Sequence, residues 1–302
     1  MATLAPPVPD AGRDPSPAAT ATRRRHRGGS KAGRPGPVTY TLLTLTTLVS
    51  IFPLYWTLVA GSHTNAEIAA TPPPFLPNAS LFDNFRLALE QAPIGKAIVN
   101  SVLVSGAITV GTVLFCTLAG FAFAKLNFRG KGVLLALVIG TMMVPTQLSV
   151  IPLFMMIAEL QWVNQLQAVI LPTLVSAFGV FFMRQYLISA LPNELLEAGR
   201  VDGASTFRIF WSIVVPVARP AMAVLAMLTF LTAWNEFFWP LIALTTANPT
   251  VQVALAGLGS GYVPQRSVIM AGTLLGTLPV LIVFTILGKQ IVGGIMQGAV
   301  KG

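Results

Sequence analysis

Six stretches of this 302-residue chain are long and apolar enough to demand burial in lipid: Val38 to Ala60, Ala97 to Ala124, Gly132 to Ala158, Gln165 to Ser189, Val217 to Leu244 and Val268 to Gln290. Each reaches or exceeds the ~20 residues an α-helix needs to cross a bilayer. Hydrocarbon offers the backbone no water to bond, so segments of this kind must satisfy their own N–H and C=O groups as helices. The expected fold is an all-α membrane protein with six transmembrane helices. Composition agrees, since 54% hydrophobic and 10% charged residues leave too little polar surface for a soluble globule of this length.

The net charge of +9 gathers at the ends of the apolar stretches rather than across one folded face, so no nucleic-acid partner is expected for the chain as a whole. Arg23, Arg24, Arg25, Arg27, Lys31 and Arg34 precede the first stretch; Lys125, Arg129 and Lys131 follow the second; Arg200, Arg208 and Arg219 follow the fourth; Lys289 and Lys301 close the chain. The alternate connections are poor in such residues, with Arg86 and Lys96 over a long loop, none from Glu159 to Asn164, and then Arg266 alone. Positive residues stay on the cytoplasmic side, which places both termini and the segment 190–220 there. Residues 1–37 are expected to form a disordered basic tail ahead of a transmembrane domain over 38–302, with a cleaved or twin-arginine signal as the competing reading. The basic cluster serves as a topology anchor, and specific binding to lipid or nucleic acid is its alternative.

Catalytic chemistry has little to work with. Cys116 stands alone in an apolar run, and His26 and His63 are the only histidines, so neither a disulfide framework nor a metal constellation is expected. No G-x-x-x-x-G-K-[ST] phosphate loop, carboxylate pair or Ser/His/Asp set is present. The chain is expected to be no enzyme and to bind no cofactor of its own.

Between the fourth and fifth stretches, Glu194, Glu197, Arg200, Asp202 and Arg208 form a polar load that no lipid-facing segment carries. Pro192 and Asn193 suit a helix start, Asp202 and Gly203 a bend, and Asp202 or Ser205 can cap a second helix running towards Pro216 and Pro220. Glu197 and Arg200 are spaced to pair, while Leu196, Val201, Phe207, Phe210 and Trp211 supply apolar surface that needs a partner. The segment reads as a docking element.

Glu197, Ala198, Gly203, Ile213 and Pro216 also stand at the spacing of the EAA motif, written EAA, three residues, G, nine residues, I, x, LP. In this the chain resembles the membrane subunits of binding-protein-dependent ABC importers, with Gly199 in place of the third alanine and Val215 in place of the leucine. MMVP at Met142, FFMRQY at Phe181, LPNEL at Leu191, DGAS at Asp202, WNEFFWPLIAL at Trp234 and the ending IVGGIMQGAVKG from Ile291 are similar to the carbohydrate-importing, MalG-like branch, from about Val38 onward. The resemblance implies a type I ABC importer permease fold in a bacterial cytoplasmic (inner) membrane. It implies that Glu197, Ala198, Gly199, Asp202, Gly203, Ala204, Ile213 and Pro216 form a coupling loop seated in an ATPase subunit. The implied partners are a second, MalF-like permease subunit, an ATPase dimer that uses MgATP, and an extracytoplasmic solute-binding protein. The implied cargo is a sugar or oligosaccharide, with a polyol or glycerol phosphate as the alternative. The end, Gln297 to Gly302, is implied to approach the ATPase, a frayed terminus being the plain alternative.

Gln147, Gln167, Asn235 and Glu236 are the polar side chains inside the spans that suit a pathway. Glu236 is the sole acid deep in an expected span, where an unpaired charge costs about 2.5–3.5 kcal/mol. Trp234, Phe237, Phe238 and Trp239 surround it, as a sugar path requires; an interfacial aromatic belt, or pairing of Glu236 with a neighbouring subunit, is the structural alternative. A secondary transporter using Glu236 as a proton relay is the competing class, and it predicts an internal repeat that the chain does not display. The loop from Gly61 to Lys96 contains an amphipathic helix at LFDNFRLALEQ, expected to cover the outer surface or meet an external partner. Pro145, Pro152, Pro172, Pro240 and Pro279 predict kinks, and Gly272 and Gly276 a close helix contact.

Overall fold

The computed structural model describes residues 36–260 and 264–299, with side chains to residue 286. The expected basic tail up to residue 35 lies outside these, as do the side chains of the closing segment from Gln297. Among the described residues every regular element is helical.

Helix α1 (Pro37–Gly61) is apolar all round and exposed through Tyr55, burying only Val59, Ala60 and Gly61 at its end. Thr41, Thr46, Thr47 and Thr57 return their hydroxyl protons to carbonyls four residues back, which satisfies those four donors within the helix. A short α2 (Asn65–Ile68) is closed by a capping box between Thr64 and Glu67, and those bonds hold the Glu67 carboxyl below its ordinary pKa. The expected amphipathic helix is α3 (Leu81–Gln91). Its buried face carries Ala88 and Asn84, whose amide holds the Gly61 and His63 carbonyls at 2.8 and 3.0 Å, while Arg86 faces outward between Asp83 and Glu90.

The centre of the bundle is α4 (Ile94–Lys125), packed against α8 and α11. The third expected span is not one helix: α5 (Lys131–Thr141) and α6 (Val150–Glu159), joined through a 3-10 turn at Thr146–Ser149, meet at 94°. Pro145 has no N–H to continue the ladder and drives Val144 out of helical geometry, whereas Pro152 falls in the first turn of α6, where no donor is needed. The fourth span is likewise bent, by 41°, between α7 (Gln167–Ile170) with its 3-10 extension Leu171–Thr173 and α8 (Ala177–Ala190), which Ser176 caps through the Gly179 N–H at 2.9 Å.

After α9 (Asn193–Val201) comes α10 (Thr206–Ile209), which passes through a π segment (Phe210–Val214) into α11 (Val215–Asn235). Pro216 offers no N–H to the Ser212 carbonyl, and the helix widens just before it without breaking. The fifth expected span thus begins earlier, at Thr206, and stops at Asn235; α12 (Phe238–Ala243) is separate. Helix α13 (Val251–Leu258) then packs on α14 (Arg266–Ala299), which runs through Pro279. Gly272 and Gly276 do face a neighbour closely: an added Cβ would lie 2.9 Å from Leu258 and 2.7 Å from Val251 respectively.

The connections sort to two ends. At one, Lys125 donates to the Asn193 side chain at 3.0 Å, tying the turn after α4 to the start of α9. At the other, Asn164 accepts from Thr245 at 2.9 Å and holds the Ala243 carbonyl at 2.8 Å, Asn100 bonds Asn248 and Pro249, Lys96 reaches the Ala247 carbonyl, and Gln91 meets Gln265. This division matches the alternation of lysine and arginine read along the sequence.

Candidate functional site: a capped elbow and the cavity its helix reaches

Segment 190–220 folds as two helices at a sharp turn. The end of α9 is a Schellman motif: the Gly203 N–H bonds the Arg200 carbonyl at 3.0 Å, and the Ala204 N–H the Gly199 carbonyl at 2.9 Å. Reversing the chain so tightly puts Gly203 at φ +77°, a left-handed conformation that costs about 1–2 kcal/mol with a side chain. Ser205 starts the next helix at once, its Oγ accepting from the Arg208 N–H at 3.3 Å. One helix is stopped and the next begun within four residues.

The two faces of this elbow differ. Leu196, Ile209, Phe210 and Val214 point inward and join a core with Met183, Leu187 and Phe121, so Leu196 and Phe210 belong to the bundle rather than to a docking face. Leu195, Val201, Phe207 and Trp211 point outward; Val201 is 87% exposed, and the rings of Phe207 and Trp211 meet edge-on at 6.1 Å. Glu194, Glu197, Arg200, Asp202 and Arg208 surround them, all exposed, with Ala198 and Pro216 on the same open surface and Ile213 half-buried. The expected Glu197–Arg200 pair is not formed; among the described residues the ion pairs are those of Arg86. Apolar surface ringed by unspent charge is the composition of a contact face.

Gly199, where the motif has alanine, borders a notch of about 190 Å³ together with Asp202, Arg208 and Ser212. A Cβ there would stand 3.2 Å from the Ile213 Cδ1, the end of a half-buried side chain, and 3.4 Å from the Ile209 Cγ1, at the edge of ordinary contact. Gly199→Ala is therefore expected to leave coupled transport within about twofold of the parent, because a shift of a few tenths of an ångström relieves the contact and the roughly 0.5–1 kcal/mol by which alanine favours a helix over glycine offsets what that shift costs; the ratio of uptake to ATP hydrolysis checks it.

From the elbow, Thr206–Asn235 runs unbroken for 30 residues, about 45 Å at 1.5 Å per residue. One stripe of it, Leu225, Leu228, Thr229, Thr232 and Ala233, lines a cavity of about 910 Å³. The cavity lies where helices break: the α5–α6 bend brings Met142, Thr146 and Gln147, the α7–α8 break brings Thr173 and Ser176, and the end of α11 brings Glu236. Broken helices free backbone groups, which membrane proteins tolerate where a cavity admits water or solute.

Of the expected pathway residues, Glu236 and Gln147 line this cavity. Glu236 has found a partner that the sequence did not disclose: its Oε1 accepts from the Phe238 and Trp239 N–H groups at 3.1 and 3.2 Å, capping α12. Trp234 is placed elsewhere. It is 2% exposed, stacked on Phe230 with ring centres 5.7 Å apart, and packed with Ala97, Val251 and Ala254. Asn235 turns its amide back to the Leu231 carbonyl at 2.8 Å, and Gln167 donates to Gln165. Trp239 is buried as well, its Nε1 donating to the Ala168 carbonyl at 3.0 Å. The cavity threonines are ordinary residues of an apolar span and give no signal singly; the spacing 225, 228, 229, 232, 233, 236, one helical face ending at the cap residue, is the signal that marks them.

Comparison with known proteins is in keeping with this architecture. The family described as "Binding-protein-dependent transport system inner membrane component" matches residues 113–296, over half of the chain. The lactose transport system permease protein LacG of Rhizobium radiobacter is 35% identical over 268 residues, covering 88% of this chain and 97% of LacG. The arabinooligosaccharides transport system permease protein AraQ of Halalkalibacterium halodurans is 32% identical, covering 88% and 98%. The sn-glycerol-3-phosphate transport system permease protein UgpE of Yersinia enterocolitica is 30% identical, covering 85% and 95%. Among solved structures, a chain of a bacterial ABC transporter involved in the import of the acidic polysaccharide alginate shares the fold with a TM-score of 0.72 at 22% identity, over 83% of this chain and 94% of that one. Motif, fold and relatives agree: the chain belongs to the family of binding-protein-dependent transport system inner membrane components, the permeases of ABC importers.

Proposed function

We propose that the chain is one permease subunit of an importer for a carbohydrate or a closely related hydroxyl-bearing solute, driven by MgATP that a partner ATPase dimer binds and hydrolyses while this chain does no chemistry. The observation that carries the reading is the continuous helix from the elbow to the cavity wall. A docked ATPase that shifts α9 at Glu197 and Ala198 pushes, where Gly199 faces Ile209 and Ile213, on the helix that carries Thr232 and the Glu236 cap, and a helix transmits displacement along its axis. The long exposed apolar faces of α5 and α6 suit a second, MalF-like permease subunit, and an extracytoplasmic solute-binding protein delivers the cargo at the Asn164 end. Relatives named for lactose, arabinooligosaccharides and sn-glycerol-3-phosphate support the solute class.

The six spans in this reading are α1, α4, α5 with α6, α7 with α8, α10 with α11, and α14. The elbow and both termini face the cytoplasm, because Lys125, Arg129, Lys131, Arg200 and Arg208 gather at the elbow end. Proteoliposomes carrying the complete importer are expected to take up solute only with MgATP and with every partner present. Solute movement by the purified chain alone, driven by a proton gradient, would contradict the proposal.

A further inference from the structure

The cavity carries one negative charge on a wall rich in hydrogen-bond acceptors, with the Gln147 amide among its few strong donors. Among its described lining residues Glu236 is the only acidic or basic side chain. Four of its eight hydroxyls have spent their protons at close range: Thr141 donates to the Val138 carbonyl at 2.7 Å, Ser149 to Thr146 at 2.7 Å, Thr173 to Val169 at 2.9 Å and Thr232 to Leu228 at 2.9 Å. What these groups present to a visitor is lone pairs. The Glu236 Oε1 is occupied by the α12 backbone, while its Oε2 makes no hydrogen bond to any described residue.

We infer that this cavity admits neutral polyhydroxy solutes and turns anions back, with the Glu236 carboxylate as the selecting charge. The inference rests on the permease reading above and narrows its solute class. A sugar hydroxyl brings a donor to each spent threonine and to the carboxylate. A phosphate ester or uronate brings a like charge to Glu236 and acceptors to those spent hydroxyls, with no lining cation to offset it; a wrong-sign juxtaposition of this kind is a strong means of rejection. The carboxylate itself is held in place by the two N–H groups of α12, so the charge and the shape of the wall are fixed together.

The test reads the local potential directly and needs no knowledge of the natural cargo. In the complete importer, Thr232→Cys places an exposed thiol one turn before Glu236, while the native Cys116 is fully buried and does not compete. Two methanethiosulfonates of similar size, one bearing trimethylammonium and one sulfonate, are compared at low salt, each rate divided by its rate with a free thiol. The cationic reagent is expected to win by about fivefold or more, the ratio for unit charges roughly 8 Å apart even at the dielectric of water. Adding Glu236→Gln, which keeps an Oε1 for the α12 cap, is expected to bring the ratio near one, and Glu236→Asp to preserve it. Dividing the parent ratio by the Glu236→Gln ratio removes any charge contributed by the partner subunit. A ratio of one or less in the parent overturns the inference, and so does a ratio that Glu236→Gln leaves unchanged; if that variant fails to assemble, a parent ratio that persists at 1 M salt, or one that Glu236→Asp abolishes, overturns it instead. A ratio near one in the protein that keeps Glu236, with ATP-dependent uptake intact, defeats the charge filter alone, whereas uptake without ATP defeats the permease reading alone.

Discussion

Gly203→Pro is expected to abolish coupling between ATP hydrolysis and solute uptake while the membrane bundle stays folded. Proline cannot adopt φ +77° and removes the N–H that bonds the Arg200 carbonyl, so the Schellman turn cannot close. Strain of roughly 3 kcal/mol at the elbow corresponds to about a hundredfold loss of coupled transport. Gly203→Ala separates conformation from bulk. No atom lies within 4 Å of an added Cβ, so alanine meets only the left-handed penalty of about 1 kcal/mol, a loss of roughly fivefold. Solute-stimulated ATPase activity and uptake by the purified importer measure both variants. Full coupling in the proline variant would mean that the turn transmits nothing.

The second large effect lies in the bundle. At Gly120 the central helix α4 comes so close to α8 that a Cβ would stand 2.8 Å from the Arg184 backbone nitrogen and 2.8 Å from the Met183 Cβ. Opposite, a Cβ on Gly179 would stand 2.7 Å from the Cys116 sulfur. In lipid, association rests on such close packing, because the tails are as apolar as the side chains and no water is released. Gly120→Val is expected to cost about 3 kcal/mol and to lower the midpoint of thermal unfolding in detergent by roughly 5–10 °C. Gly106→Val, on the same helix with nothing within 4 Å, is expected to leave it unchanged. Equal midpoints for the two would remove the α4–α8 contact from its place at the centre of the fold.

How much of this was written in the sequence depends on whether a feature is local. The elbow is local: its caps, its glycine and its charges all lie between Pro192 and Arg208, and each stands where helix-stop chemistry requires. The alternation of basic connections is also additive along the chain, and the two polar ends of the bundle follow it. The breaks were harder. Proline marked the bends at Pro145 and Pro172, but not the size of the 94° turn between α5 and α6, and the passage through Pro216 without a break comes with a π segment that no composition announces. Trp234 shows the limit most plainly. Beside Glu236 in sequence, it lies on the opposite face, against Phe230 and α13, because the helix continues to Asn235 before the chain turns. The capping of α12 by Glu236 required knowing that α12 existed.

Val201, at the tip of the elbow, offers the most direct measurement of docking. In the complete importer Val201→Cys presents an exposed thiol, with the native Cys116 buried. Docking from the cytoplasm gives a crosslink from this cysteine to the ATPase subunit, with an efficiency that changes on adding MgATP, and no labelling by an impermeant thiol reagent applied outside intact cells. Labelling from outside, or a crosslink to the external solute-binding protein instead, would contradict the central claim that this elbow holds the motor.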